Sequence, residues 1–205
     1  MPIVTVNTSS NAPLTTIARV KSFLGITSTA EDSFLTDLIA IATNTIQNYV
    51  GRTFSLETIT ENLPGTGTAK LVLSKYPIVS ITSITDETGL IDASGYEISD
   101  KMAGTVYRKD GIFFFKGQVT GLLGFNNEKE AANNITAVYQ AGYSSVPLDV
   151  EMAAISYVRS MYLGRSRDNT VSSESVSGVY SVTYGSNALS ADVVSTLGRY
   201  MNYAV

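Results

Sequence analysis

Pairs of neighbouring carboxylates are the side chains of this sequence best suited to acid–base chemistry. Two carboxylates in different environments can act as acid and base without histidine. Glu31/Asp32 and Asp149/Glu151 lie at predicted helix N-termini, where acidic groups suit the helix dipole. Asp86/Glu87 and Glu128/Glu130 lie in predicted loops. We therefore interpret all of them as structural and predict no catalytic residue.

The absence of histidine and cysteine excludes most other chemistries. Without histidine, the chain lacks the commonest general base near neutral pH and the commonest transition-metal ligand. Without cysteine, it has no disulfide, zinc–thiolate site or thiol nucleophile. Asp86, Glu87 and Glu128 could offer oxygen ligands to calcium, but the spacing of an EF-hand loop is missing. We predict no metal, no cofactor and no enzymatic activity.

A glycine-rich segment at residues 115–125 is the next candidate for a binding site. It contains Gly117, Gly121 and Gly124, but no Gly-Lys-Ser/Thr follows, so a phosphate-binding loop is not indicated. We favour an apolar loop that packs against a neighbouring subunit over a purely internal hairpin. The residues expected to make these contacts are Gly121, Leu122, Leu123 and Phe125.

Charge argues against nucleic-acid binding as the main function. The chain has 205 residues, 14 basic and 18 acidic, and its isoelectric point is about 4.8, whereas nucleic-acid-binding domains are usually basic. Arg159, Arg165 and Arg167 could contact phosphates or an acidic partner, or could simply lie at the favourable end of a helix dipole. Both interpretations stay open. No secretory signal or membrane-spanning segment is indicated, so we expect synthesis in the cytoplasm and no membrane contact.

Hydrophobic periodicity predicts an α+β protein: a small helical bundle, a β-rich insert and an extended C-terminal arm that ends in a short helix. Helices are expected at residues 14–24, 30–50 and 148–163, and strands within 54–140. Residues 1–13 are polar and are expected to be a flexible arm. The domain boundaries that follow are an arm at 1–13, a core at 14–170 and a second arm at 171–205.

The C-terminal arm combines an alternating strand pattern with a short amphipathic helix. A helix of this length is marginal alone in water, so it must dock on its own core or on a partner. Tyrosines crowd this part of the chain, and tyrosine is enriched at protein interfaces. The candidate interface residues are Tyr180, Val182, Tyr184, Leu189, Val193, Val194, Leu197, Tyr200, Met201 and Tyr203.

In their order along the chain, several segments resemble the head–tail connector (adaptor) proteins of tailed bacteriophages. The first of these segments is a helix followed by a Gly-Arg-x-aromatic sequence, and the second is a strand similar to Pro-Val-Ile-Ser. The third is a Tyr-x-Ala-Gly-Tyr element, and the fourth is a Ser-Glu…Tyr-Ser-Val-Thr-Tyr stretch. The polar first arm and the enlarged β-rich middle depart from the family pattern. The segments are Ala30–Val50 with Gly51-Arg52-Thr53-Phe54, Tyr76–Ile84, Val138–Tyr143 with Val146-Pro147, and Ser173–Tyr184.

The resemblance implies a structural role in the virion neck, at the head–tail interface. It implies a homo-oligomeric ring, a dodecamer in the family, docked beneath the portal protein through the C-terminal arm. The opposite face would meet a stopper, tail-completion or tail protein. DNA would pass through the ring without specific binding, because the net charge of −4 on each copy repels it.

Two other functions remain open from the sequence. One is a different structural role, as a tail-completion, tail-tube or baseplate subunit, which would bind tail proteins but not portal. The other is a β-rich glycan-binding module or a histidine-independent glycoside hydrolase, whose turnover would depend on Glu128 or Asp86.

Overall fold

The structure, a computed structural model, describes residues 3–8, 12–86, 88–109, 114, 134–165, 173–176, 180–183 and 189–201. The chain divides into two compact units. The β unit comprises Met1–Asn11 and Ser55–Ser144, and the helical unit comprises Ala12–Phe54 and Ser145–Val205. The helices and antiparallel strands confirm the predicted α+β class.

The β unit contains a five-stranded antiparallel sheet in the order β1-β2-β8-β4-β5. Strands β2 and β8 alternate buried and half-buried residues along their whole length, as expected of strands with one face on a core. The strands are β1 (Ile3–Thr8), β2 (Glu57–Leu63), β4 (Ile78–Asp86), β5 (Gly89–Leu90) and β8 (Ile135–Ala141).

A second, three-stranded sheet has the order β3-β7-β6. Its strands are β3 (Lys70–Val72), β6 (Tyr96–Asp100) and β7 (Thr105–Arg108). Leu71 and Val106 from this sheet join Ile59 and Ile84 from the larger sheet in one buried cluster. The two sheets of the unit therefore share a hydrophobic core.

Residues 3–8 form a strand, where the sequence suggested part of a flexible arm. Strand β1 pairs antiparallel with β2, with Ile3 opposite Asn62 and Val6 opposite Ile59. Val4 packs against the core of the β unit. The physical reason is local: Ile3, Val4 and Val6 are β-branched residues that suit a strand, although the surrounding residues are polar.

Gly142 follows β8 and lies at φ +114°, in the region that favours glycine. A Cβ at this position would collide with the backbone oxygen of Ser55. Its N–H donates to the carbonyl of Pro77 at 2.9 Å. The Ala-Gly-Tyr segment therefore needs glycine, because its φ is positive and the backbone of Ser55 and Leu56 occupies the space of a Cβ.

The helical unit is built from α1 (Ile17–Leu24), α2 (Asp32–Val50), α3 (Leu148–Gly164) and α4 (Ala191–Gly198). Val20, Leu35, Ile39 and Val158 form the centre of the cluster that α1, α2 and α3 share. Helix α1 ends at Gly25 and α2 at Gly51, both left-handed, the usual C-terminal cap. Helices α1, α2 and α3 lie within three residues of their predicted bounds.

Strands β9 (Ser173–Val176) and β10 (Tyr180–Thr183) form a separate two-stranded antiparallel sheet, the β9–β10 hairpin. Tyr180 lies opposite Val176, and Thr183 opposite Ser173. The division into a core of residues 14–170 and an arm from 171 stays a prediction.

Candidate functional site

Glu31, the residue before α2, ties this helix to the end of α3. Its Oε1 lies 2.7 Å from Nη2 of Arg165, and the Tyr162 hydroxyl donates to its Oε2 at 2.5 Å. These hydrogen bonds from Tyr162 and Arg165 lower the pKa of Glu31. Asp32, its predicted partner, instead accepts from Nζ of Lys21 at 2.7 Å. The first carboxylate pair is therefore split between two structural contacts.

Asp149 and Glu151, in the first turn of α3, bind different helices. Asp149 accepts from the Tyr200 hydroxyl at 2.8 and 2.9 Å. Glu151 Oε1 lies 2.9 Å from Nε of Arg19 and accepts from the Thr15 hydroxyl at 3.2 Å. This pair therefore joins α3 to the residue Tyr200 after α4 on one side and to Thr15 and Arg19 at the α1 segment on the other.

Asp86 forms a deeply buried ion pair with Arg108. Arg108 Nη1 lies 3.0 Å from Asp86 Oδ2, and the two side chains are only 5% and 2% exposed. Burial raises the pKa of Asp86, but hydrogen bonds from Thr88 and Arg108 outweigh that effect and the pKa is lowered. The Arg108 guanidinium also stacks over the Phe114 ring, 5.8 Å from its centroid. Glu87, Glu128 and Glu130 lie outside the described residues.

Sequence reasoning missed a buried carboxylate, Glu61 in β2. It is fully buried and accepts hydrogen bonds from the Tyr139 hydroxyl at 2.6 Å and from both the backbone and the hydroxyl of Ser74. Burial and the charge of Glu61 raise the pKa of Tyr139. The alternation Ile59, Glu61, Leu63 places Glu61 on the apolar face, and that was the available signal.

In the described part of the chain, no group of three or more acidic side chains comes together as a metal site could require. The described carboxylates of the candidate pairs all bond to basic or hydroxyl side chains of the protein itself. None of the described helices is long and apolar enough to cross a membrane. The arrangement supports anchoring rather than acid–base chemistry.

One face of α3 is exposed and partly apolar. Its positions repeat at helical spacing, so they line one side of the helix. Leu148 is 68% exposed, Met152 39% and Leu163 59%. We call this surface the α3 stripe, and its members are Leu148, Met152, Ser156, Arg159 and Leu163.

The candidate arginines differ in their surroundings. Arg165 is held by Glu31 and stacks 4.1 Å from the Tyr162 ring centroid. Arg159 lies in the α3 stripe with its guanidinium 5.9 Å from the ring centroid of Phe23, itself 45% exposed. Arg159 therefore belongs to an exposed apolar surface. Arg167 lies outside the described residues.

Helix α4, part of the predicted interface, docks on its own subunit. Val193 is 5% exposed and Leu197 is fully buried, and the Tyr200 ring meets Phe54 edge-on with centroids 5.7 Å apart. Of the other candidates, Leu189, Val194 and Met201 are half-buried. For Tyr180 and Val182 only the backbone is described, and Tyr184 and Tyr203 lie outside the described residues. Their role as interface residues stays a prediction.

The predicted interface loop also lies outside the described residues, including Gly121, Leu122, Leu123 and Phe125. Its two flanks are described and lie against one turn. Phe114 exchanges backbone hydrogen bonds with Gly67 and Thr68 at 2.8 and 2.9 Å, and the Asn134 side chain accepts from the backbone of Gly65 at 2.8 Å. Phe114 and Asn134 therefore both contact the segment at residues 65–68.

Solved structures with a similar fold come from gene transfer agent (GTA) particles. One is from the virion of the native particle, with a TM-score of 0.58 at 15% identity. Two are from necks: the empty particle computed with C6 symmetry, TM-score 0.57, and the native particle computed with C12 symmetry, TM-score 0.54, both at 15% identity. Each alignment covers 99% of this chain and 97% of the other. At this identity the likeness shows a shared fold.

A search of curated proteins finds no match. A protein-family model described as "Head completion protein" does match, over residues 13–203, which is nearly the whole chain. This match confirms the predicted class, a structural protein of the head–tail connector type. The chain belongs to the head completion protein family.

Proposed function

We propose that this protein is a subunit of a ring in the virion neck, docked beneath the portal and continuous with the DNA channel. The family match over residues 13–203 carries the proposal. The fold shared with chains from GTA necks computed with C6 and C12 symmetry supports a ring. The role is structural, and no catalytic step is assigned to the chain.

The exposed apolar surface of the helical unit supports a subunit that is covered in an assembly. Leu148 and Leu163 of the α3 stripe are more than half exposed, and exposed apolar surface of this kind marks interaction sites when it is contiguous. The low charge of the whole chain, with 16% charged residues, fits the same role. Each copy carries a net charge of −4, so a ring would be acidic as a whole, which favours passage of DNA without binding.

In this proposal, the portal binds those residues of the C-terminal arm that are not buried within the subunit itself. Val193 and Leu197 are buried within the helical unit, so they would hold α4 in place. Val194 and Met201 are half-buried on the same segment and would face the portal. Deleting residues 171–205 would remove both functions together, so point substitutions test the assignment more sharply.

The first experiment is native mass spectrometry of the purified protein, alone and mixed with portal. We expect the protein to form a ring alone, or to bind each portal in the number of copies that makes one ring, which is twelve in a dodecamer. A protein that stays monomeric and ignores the portal but binds tail proteins would overturn the proposal in favour of a tail subunit.

A matched pair of substitutions tests portal docking. Val194→Glu places a charge on the half-buried side of α4, and Ser195→Glu places the same charge on its exposed neighbour. We expect Val194→Glu to weaken portal binding and Ser195→Glu to leave it unchanged, with equal urea-unfolding midpoints. Equal portal binding by the two variants would remove α4 from the docking surface.

A further inference from the structure

Strand β1 is a six-residue sheet edge with few of the devices that normally prevent edge-to-edge pairing. Its pairing with β2 shifts register between Val6 and Thr8, and the residues before that shift pair regularly. The strand lies at the end of the five-stranded sheet and reads Ile-Val-Thr-Val-Asn-Thr, with no charged residue and no proline. Ile3 is 58% exposed. Edge strands of soluble proteins are usually short, charged, bulged or covered.

The other described edges of the two sheets in the β unit do carry such devices. Strand β3 has three residues and begins with Lys70, and β6 contains Glu97 and Asp100. On the far side of the larger sheet, β5 has only two residues, and β4 shows two register irregularities. Among the described edges of the two sheets of the β unit, β1 is therefore the one that is both long and uncharged.

The same chain carries a hairpin that needs a neighbour. Strands β9 and β10 form a sheet of their own, and among the described elements β9 is the one with which β10 makes extensive contact. A two-stranded hairpin alone is marginal in water. Strand β9 contains Glu174, whereas β10 reads Tyr-Ser-Val-Thr, an uncharged sequence of high strand propensity.

We propose that β10 of one copy adds to the β1 edge of the next copy, so that each β9–β10 hairpin extends the neighbour's five-stranded sheet. This inference rests on the proposed ring. A closed ring uses a head-to-tail contact, which needs two different surfaces on each subunit that complement one another. Here the edge of β1 is one surface and the edge of β10 is the other, and backbone hydrogen bonds would join them.

Cysteine cross-linking tests this contact cleanly, because the natural chain has no cysteine. Thr5→Cys protein is mixed with Ser181→Cys protein, the ring is assembled, and a short bismaleimide, which tolerates small differences in register, joins nearby thiols. Any cross-link between these two variants connects different molecules. We expect roughly tenfold more cross-linked dimer than in a mixture of Thr5→Cys with Ser195→Cys, because paired edges hold thiols at high effective concentration.

Each alternative pairing gives a different product. Dimers from Thr5→Cys alone would show that β1 pairs with β1, which overturns the head-to-tail contact. If the Thr5→Cys/Ser181→Cys double variant forms only intramolecular cross-links and no dimer, the hairpin pairs with β1 of its own subunit. That result would also overturn the head-to-tail contact. Rings without either product would overturn this contact and leave the proposed function intact, whereas failure to form any ring, alone or on portal, would overturn both.

A second pair of variants gives an independent readout. Thr5→Lys adds a charge to the β1 edge strand, and Val72→Lys adds one to an exposed position of the other sheet. We expect Thr5→Lys to reduce ring assembly in native mass spectrometry and Val72→Lys to leave it unchanged. Equal assembly by both variants, at equal unfolding midpoints, would contradict the proposal.

Discussion

The two units place their charged groups differently. In the β unit, the Asp86–Arg108 pair is almost fully buried, with side chains 2% and 5% exposed, and Glu61 is buried among hydroxyl and backbone donors. In the helical unit, four ion pairs each have a partner that is more than one third exposed: Arg19–Glu151, Lys21–Asp32, Arg165–Glu31 and Arg199–Asp149. The β unit also has an exposed pair, Lys109 with Glu97. The contrast is therefore between the buried Asp86–Arg108 pair of the β unit and the more exposed pairs of the helical unit.

This difference has an energetic meaning. A buried pair is costly to break, because the remaining partner stays in a poorly solvated site. A surface pair is screened and can be exchanged for water or for another protein at little cost. The helical unit is thus the part of this protein that can change its contacts on assembly, and the β unit is the part that keeps its geometry.

Among the substitutions that test this difference between the two units, Asp86→Ala should lower the free energy of unfolding most. It leaves the buried guanidinium of Arg108 without its carboxylate, so we expect the free energy of unfolding to fall by about 3–5 kcal/mol. Urea unfolding measures the loss, and Asp92→Asn, at an exposed turn, is the control. A loss no larger than that of the control would mean that the β unit does not depend on its buried pair.

Within the helical unit, the largest effect is expected from an apolar residue. Leu197→Ala removes a fully buried side chain that fastens α4, and should lower the free energy of unfolding by about 3 kcal/mol. Val194→Ala, on the half-buried side of the same helix, should change it much less. Equal, small effects would show that α4 is not docked in solution, and would return Val193 and Leu197 to the docking surface.

Tyr139→Phe distinguishes the contribution of the hydrogen bond to Glu61 from that of the packing of the aromatic ring. The phenylalanine ring fills the same space, but Glu61 loses one donor at 2.6 Å. We expect a loss of about 2 kcal/mol, typical of a hydrogen bond to a buried charged group. Tyr107→Phe, at a side chain 47% exposed, should be close to neutral in the same urea titration. If the two variants were alike, the hydroxyl of Tyr139 would have no part in holding Glu61.

Sequence patterns predicted the parts of the fold that depend on neighbouring residues. Helices α1, α2 and α3 were predicted within three residues, and the strands at Glu57–Leu63 and Ile135–Ala141 fall in or next to the predicted β-rich range 54–140, because period-2 and helical spacing are local signals. The role of β1 was missed, since its partner β2 is more than fifty residues away, and pairing over such a distance leaves no local trace. Whether α4 docks on its own core or on a partner was open for the same reason.

The candidate site was less predictable than the fold. The structural interpretation of Asp149 and Glu151 followed from their place in a first helical turn, but their partners Tyr200 and Arg19 could not be inferred, because side-chain contacts between elements depend on packing angles. Glu61 was passed over because a carboxylate on an apolar strand face is costly unless donors surround it. Ser74, one of those donors, lies in a turn that the alternation of β2 does not reveal.

The smallest effect is expected at the surface pair, and it completes the comparison. Glu31→Gln removes a carboxylate that bonds to Arg165 and Tyr162, yet the unfolding midpoint at neutral pH should fall only slightly, since solvent screens the pair. The pKa of Glu31 is lowered in the folded protein, so its contribution is present above the ordinary value of about 4.3 and is lost as the pH falls through the lower, folded-state pKa. The difference between Glu31→Gln and wild type should therefore shrink in acid. A double-mutant cycle with Arg165→Gln measures the pair itself, and a coupling as large as that of Asp86 with Arg108 would erase the distinction between the two units.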